Sequence, residues 1–320
     1  MISNRRFPDN SPMQLLIPYA LVDTPGCHQA LSALQLPHLE TLLRRLKLAA
    51  SRPGSADDLS LPHEKALARA MDLAPEDGRI PLAAMALATS GGDPGHQAWA
   101  WITPAHWQVA TNHIQMHDPA RLQLEEAESR ALLDAMAPYF AQDGITLDYL
   151  TPSRWLASGE VLATLACASL DRAIGADVRP WMPASADMRR LQNEMQMLLY
   201  THPVNDARAE RRLDGVNSFW ISGSGRLGAP VHSDAAPIVA DGLRDAVLNE
   251  DWANWSLAWK EIDDSFCRDL LAGLDAGQPV RLVLCSNRHA LEFAPDPGGW
   301  MDRLHRRWSR RGLHSFTDKL

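Results

Sequence analysis

The spacing of apolar positions changes several times along this chain, and each change predicts an element. Met13–Val22, "MQLLIPYALV", is an almost unbroken apolar run of the length expected for a buried strand. It stops at "DTPGCHQAL". The next segment, "LPHLETLLRRLKLAA", places Leu39, Leu42, Leu43 and Leu46 at helical spacing. Strand, polar turn and helix in that order make a βα unit. Polar residues just past such a strand, here Asp23 and His28, stand where α/β proteins place their ligands. "SRPGSADDLS" at 51–60 reads as a loop, and helical patterns follow at His63–Leu73 and at Pro81–Ala88, the second with proline in its first turn.

"GGDPGHQ" at 91–97 punctuates the chain, and the texture then changes. "AWAWITP" and "HWQVATNHIQM" alternate like strands, "LEEAESRALLDAMAPYF" at 124–140 is an amphipathic helix, and "GITLDYL" at 144–150 is a strand. A helix over 185–200 follows, with Ser185 as its N-cap. The segment from Ala236 starts like a strand and continues as helix, "PVRLVLC" at 279–285 is a buried strand, and "PGGWMDRLHRRW" reads as a closing helix. The pattern predicts an α/β core over 13–94 and 181–320, interrupted by a smaller α+β domain at 95–180. Residues 1–12 read as a disordered extension.

A length of 320 residues suits about two domains, and 46% apolar residues suffice for one large core and a smaller one. A net charge of −8 argues against a general nucleic-acid binder, which needs a basic face. The arginine-rich stretch Arg303–His314 reads as a solvated helix. Cys27, Cys167, Cys267 and Cys285 form no C-x-x-C pair and lie in apolar surroundings, as reduced core residues of an intracellular protein do. No run reaches the roughly 20 apolar residues of a membrane span, and the N-terminus lacks a small-residue cleavage site. A cytoplasmic location is expected.

Three patterns bear on chemistry. Gly223-Ser224-Gly225-Arg226-Leu227-Gly228 is a G-x-G-x-x-G after a short apolar strand. A dinucleotide site also needs a helix opening on the last glycine, whereas Ala229-Pro230 follows here. The loop is then either a backbone nest for a phosphate or plain turn chemistry. His113 and His117 are four apart, but their neighbours read as strand and no H-E-x-x-H is formed, so no metal site is expected there. Trp252, Trp255 and Trp259 make one helical stripe, as core residues or as a groove for a partner.

The segment Asn193–Gly225 resembles the RpfE-type bacterial regulatory proteins, which are often labelled cofactor-independent phosphoglycerate mutase. The matching features are Glu194-x-Gln196-Met197, His202-Pro203-Val204-Asn205, Arg208, and Val216-Asn217-Ser218-Phe219-Trp220 leading to Gly223-x-Gly225. "TPAHWQV" and "LPHLETLL" upstream fit the same family. The resemblance implies a distant likeness to archaeal-type phosphoglycerate mutases of the alkaline-phosphatase superfamily. Those have a doubly wound, mostly parallel α/β core with two metals and a smaller inserted α+β domain.

Such enzymes activate a Ser or Thr nucleophile with divalent metals held by Asp and His. Asp23 stands where the first metal aspartate would. After the late strand, however, Ser286-Asn287-Arg288-His289 replaces an Asp-His pair, and an arginine there repels a dication. The resemblance therefore implies a phosphoglycerate-mutase-like protein without the two-metal centre and with no predicted cofactor. It would bind a small phosphorylated metabolite or a protein partner and regulate. The ligand-binding candidates are Asp23, His28, His202, Asn205, Arg208, Asn217, Trp220, Gly223, Ser224, Gly225 and His289. The alternative is an active phosphomutase or phosphatase using Mn²⁺ or Zn²⁺, with Asp23 and His289 on an ion and Asn205, Arg208 and Asn217 orienting the phosphate. The same three side chains also suit a structural role, tying a long loop to backbone groups. A structural adaptor acting through the tryptophan stripe or the arginine-rich tail is the third reading.

Overall fold

The computed structural model describes residues 12–231, 236–295 and 312–319. Its strands are β1 (Met13–Ile17), β2 (Leu46–Pro53), β3 (Ala98–Ala105), β4 (Trp107–Val109), β5 (Ile114–Met116), β6 (Thr146–Thr151), β7 (Arg154–Ser158), β8 (Ser218–Arg226), β9 (Ile238–Val239), β10 (Val280–Cys285) and β11 (His289–Pro295). The helices are α1 (Pro25–Ala33), α2 (Pro37–Arg45), α3 (Pro62–Ala70), α4 (Leu82–Thr89), α5 (Glu126–Gln142), α6 (Leu170–Ala173), α7 (Ala186–Tyr200), α8 (Pro203–Glu210), α9 (Arg244–Leu248), α10 (Trp252–Ile262) and α11 (Arg268–Asp275). They divide into two compact units, the first from 1–57, 61–73 and 232–320, the second from 58–60 and 74–231.

The first unit is built on a five-stranded sheet in the order β2-β11-β10-β1-β9. β1 is parallel to both β9 and β10, as the βα reading of the first strand requires. The outer half is antiparallel, β10 with β11 and β11 with β2, so the sheet is mixed rather than mostly parallel. The reason is local. Only Ser286–Arg288 separate β10 from β11, and so short a turn returns the chain antiparallel, whereas a parallel partner needs a crossover of a dozen residues or more. The sheet is buried on both faces. Leu15, Ile17, Leu282 and Leu284 join the large core under α1, α2, α10 and α11, while Leu16, Val283 and Cys285 turn to the opposite face with Ala66 of α3. That period-2 division inside continuous apolar runs is what a doubly covered strand requires.

The tryptophan stripe of α10 is core. Trp255 and Trp259 are fully buried, and their indole N–H groups donate to the carbonyls of Tyr19 (3.2 Å) and Ala20 (3.1 Å), just past the end of β1. One helical expectation is shortened: α2 ends at Arg45, and Leu46 starts β2, which runs through Pro53 into the stretch read as loop.

The second unit carries a four-stranded antiparallel sheet in the order β6-β7-β3-β8, and a separate β4–β5 hairpin. Leu132, Met136 and Phe140 of α5 and Leu191, Met195 and Leu199 of α7 fill one core with Ala98, Ala100, Ile102, Phe219 and Ile221 from the sheet. Ser185 caps α7, its side chain accepting from the Met188 N–H at 3.3 Å. The second unit extends beyond the 95–180 insertion read from the sequence because β8 pairs along β3, from Ala98↔Arg226 to Ala105↔Ser218, and so belongs to this sheet. Among the described residues no helix is long and apolar enough to cross a membrane. Residues 1–11, most of Arg303–His314 and the expected closing helix lie outside the described residues.

Candidate functional site

The glycine-rich segment is part of a strand. β8 runs unbroken through Gly223-Ser224-Gly225 to Arg226, with a register shift opposite Trp99–Trp101. Gly223 (φ 63°) and Gly225 (φ 146°) occupy backbone regions that side chains disfavour. A Cβ at Gly223 would stand 2.9 Å from the Trp101 ring and 3.2 Å from Leu82, and one at Gly225 would stand 3.1 Å from Pro81. The glycines thus form a bulge that lets the start of α4 approach the sheet. Ser224 is buried with its hydroxyl donating to the Leu165 carbonyl, and the Trp220 indole donates to the Ala168 carbonyl at 3.2 Å. The segment is thus part of a strand rather than a separate loop, and its glycines answer to packing against Trp101, Leu82 and Pro81.

Asn205, Arg208 and Asn217 converge on one short loop, Asp214–Asn217. Asn205 donates to the carbonyls of Leu199 (2.8 Å) and Val216 (2.7 Å) and accepts from the Val216 N–H (2.8 Å). Asn217 accepts from the Trp107 N–H at 2.7 Å and donates to the Trp107 carbonyl at 2.8 Å. Arg208 is fully buried and donates to the Asp214 carbonyl (2.9 Å), the Leu122 carbonyl (2.5 Å) and Glu128 (2.7 Å). These are the loop ties foreseen as the structural role. His202 caps α8, its Nδ1 accepting from the Val204 N–H at 3.2 Å, and burial holds its pKa below the ordinary value against the opposing charge of Asp206.

Glu128 ties this network to pH. Burial raises its pKa, but the Glu125 N–H and the charges of Arg208 and Arg211 outweigh that, leaving it below the ordinary 4.5. A carboxyl lowered in the fold stabilises fully above its unfolded pKa and loses that contribution as pH falls through the folded value. The urea midpoint of the chain should therefore hold from pH 7 to about 5 and drop below about 4. In Glu128→Gln the acid limb of that profile should be shallower; an unchanged limb would show that other carboxyls govern it.

Beside the loop lies a cluster the sequence reading did not assemble. His106, His117 and Asp214 bring their side-chain donor atoms within 4.8 Å of one another. Nδ1 of His106 donates to the Gly215 carbonyl at 2.7 Å. His117 places Nδ1 2.9 Å from the Asp214 carboxylate and Nε2 3.1 Å from Gln108 Oε1, and the two imidazole centroids are 4.8 Å apart. The hydrogen bond from His117 holds Asp214 below its ordinary pKa, against burial and with help from the charges of His106, His117 and Arg208. His113 lies in the exposed end of the β4–β5 hairpin.

In the first unit, Asp23, Asp241 and His289 follow or flank the ends of β1, β9 and β10. Asp23 and His28 form an open pair at 3.6 Å, their side chains 80% and 46% exposed. Ser286 accepts from the N–H groups of Arg288 (3.1 Å) and His289 (2.9 Å), and so shapes the turn into β11. Among the described residues these groups form no cluster of three ligands; His232 and Asp234 lie outside them. A second trio, His38, Asp263 and Asp264, is a tertiary cap: buried Asp263 accepts from the N–H groups of His38 (3.2 Å) and Leu39 (2.7 Å) at the start of α2.

No family model matches this chain, and no curated protein matches it. Solved structures do. The cofactor-independent phosphoglycerate mutase of Thermoplasma acidophilum DSM 1728 is 15% identical, over 90% of this chain and 91% of that one, with a TM-score of 0.40. The PH0037 protein of Pyrococcus horikoshii is 12% identical, over 92% of each chain, with a TM-score of 0.45. Both are coarse likenesses of fold.

His106 and Asp214 are the residues the sequence reading missed. His106 stood in "TPAHWQV" and Asp214 within the Asn193–Gly225 segment, but nothing in their spacing links them. The signal available was indirect: Arg208 and Asn217, singled out by the resemblance, are the residues that pin the Asp214 loop.

Proposed function

We propose that this chain is a phosphoglycerate-mutase-like protein that binds a ligand or protein partner and regulates, without transferring phosphoryl groups. The likeness half of this reading rests on the motif residues of Asn193–Gly225. The non-catalytic half rests on one observation: Asn205, Arg208 and Asn217, the groups a phosphate ester would need for orientation, are spent on backbone carbonyls, backbone N–H groups and Glu128. Three of the five N–H donors of Arg208 are committed within the protein, and the side chain is fully buried, so it presents no exposed guanidinium to a substrate in solvent.

A second reading, a metal-dependent phosphomutase or phosphatase, draws on the parallel alignment of β9, β1 and β10. Their C-terminal ends fall on one edge of the sheet, so Asp23, Asp241 and the Ser286–His289 turn follow strands at the edge where α/β sheets place ligands. One assay separates the two. The purified chain is incubated with 3-phosphoglycerate and with a chromogenic phosphate monoester, each with Mn²⁺, Zn²⁺ or Mg²⁺. The regulatory reading expects no mutase or phosphatase turnover with any ion. Turnover that Asp23→Ala abolishes overturns it, whereas ion binding without turnover leaves it standing.

A further inference from the structure

We infer that His106, His117 and Asp214 form a binding site for a first-row transition dication of the Zn²⁺ class. Two imidazoles and one carboxylate suit Zn²⁺ and its neighbours, whereas Mg²⁺ and Ca²⁺ select all-oxygen sites. The spacing fits. Ligand bonds of about 2.0–2.1 Å on a tetrahedral ion separate two donor atoms by roughly 3.3 Å, and His117 Nδ1 already stands 2.9 Å from the Asp214 carboxylate.

The surroundings prepare these groups as ligands. Nδ1–H of His106 is committed to the Gly215 carbonyl, which fixes the tautomer and leaves the lone pair on Nε2, the arrangement that orients metal-bound histidines. The Asp214–Asn217 loop is held residue by residue: Asp214 by Arg208, Gly215 by His106, Val216 by Asn205 and Asn217 by the Trp107 backbone. The Trp107 tie also fixes the position of its neighbour His106. Motif residues that bear on no substrate thus acquire a role: they hold a carboxylate opposite two imidazoles contributed by the β4–β5 hairpin. Asp214 is 48% exposed on its side chain and His117 30%, so an ion can enter from solvent. Three protein ligands leave a fourth position for water or an oxyanion.

The four cysteines do not compete. All are free and buried, and burial pushes the Cys167 thiol up to about 12.

The test uses the full chain, free of any affinity tag and stripped with a chelator. Zn²⁺ binding is read by competition with a chromophoric chelator at pH 7.5. One tight equivalent per chain is expected, weakened at least about tenfold in His106→Gln and in Asp214→Asn and unchanged in His113→Gln. Co²⁺ at the site should show visible ligand-field bands without thiolate charge-transfer absorption. Tryptophan emission of the metal-free variants reports folding, and the near-isosteric Asp214→Asn decides if His106→Gln unfolds. No tight equivalent, or affinity unchanged in the folded cluster variants, overturns the site. Neither result depends on turnover, so the regulatory reading is tested separately.

Discussion

Replacing Arg208 with methionine should destabilise the chain by about 3–5 kcal/mol, the range for breaking a buried ion pair from one side. The side chain is fully buried and ties the nearby Asp214 carbonyl to two groups distant in sequence, the Leu122 carbonyl and the Glu128 carboxylate of α5. Methionine fills much of the volume but donates nothing. Two carbonyls lose their donor, and Glu128, only 11% exposed, keeps the Glu125 N–H and one charged partner, Arg211, itself 43% exposed. Lysine retains the charge but not the planar fork that meets three acceptors, so Arg208→Lys should recover only part of the loss. Adding Glu128→Gln to Arg208→Met should be less harmful than the sum of the two, because the under-paired carboxylate is gone. Urea unfolding of the four variants measures all of this. A loss below about 1 kcal/mol for Arg208→Met would show that the fork does not hold the loop.

How much of this was legible in the sequence depends on whether an element is defined by near or distant neighbours. β1, β3, β10 and α7 were readable because each carries its own signal: an apolar run, an alternation, or a cap at Ser185. The period misled where it crossed a boundary. Leu46 continues the spacing of Leu39, Leu42 and Leu43, yet it is the first residue of β2, because β11 pairs with it through Pro295↔Leu46. Nothing local announces that partner. The mixed sheet was hidden for the same reason, since β11 follows β10 by a turn that resembles any polar loop.

The candidate site shows the limit most clearly. The spacing of four between His113 and His117 is set aside, because four is a helical neighbour distance and their neighbours read as strand. Nothing then points to the partner His117 does have. In the β4–β5 hairpin the register pairs Trp107 with Met116 and Val109 with Ile114. The His117 N–H then bonds the His106 carbonyl at 3.0 Å, bringing those two imidazoles together and leaving His113 at the tip. Asp214 enters from a loop about a hundred residues away. The glycines of β8 were read from sequence as a loop after a strand, but their reason for being glycine, the closeness of Pro81 and Leu82, is a tertiary fact.

The other large effect is expected in the first unit, at Trp259. Its replacement by alanine should cost about 3–5 kcal/mol, the usual range for emptying a buried tryptophan site. Trp259 is fully buried in the core beneath β1 and meets Trp255 edge-on at 6.2 Å, so the vacated space has another rigid ring on its wall and can collapse only in part. There is also a directional loss. Ala20 is held at both ends, its N–H donating to the Cys285 carbonyl at 2.7 Å and its carbonyl accepting from the Trp259 indole at 3.1 Å. Trp259→Phe separates the two contributions: it keeps most of the buried surface and removes the indole donor, and about 1–3 kcal/mol is expected for the orphaned carbonyl. The consequence reaches the strand edge, because the Tyr19–Val22 segment that leads to Asp23 is fastened there by indoles from α10 and by the end of β10. Native-state hydrogen exchange at the Ala20 amide should accelerate in Trp259→Phe more than at amides in the middle of β10, since the change loosens that segment without opening the sheet. Equal acceleration at both places would mean that the indole contributes to the core as bulk alone.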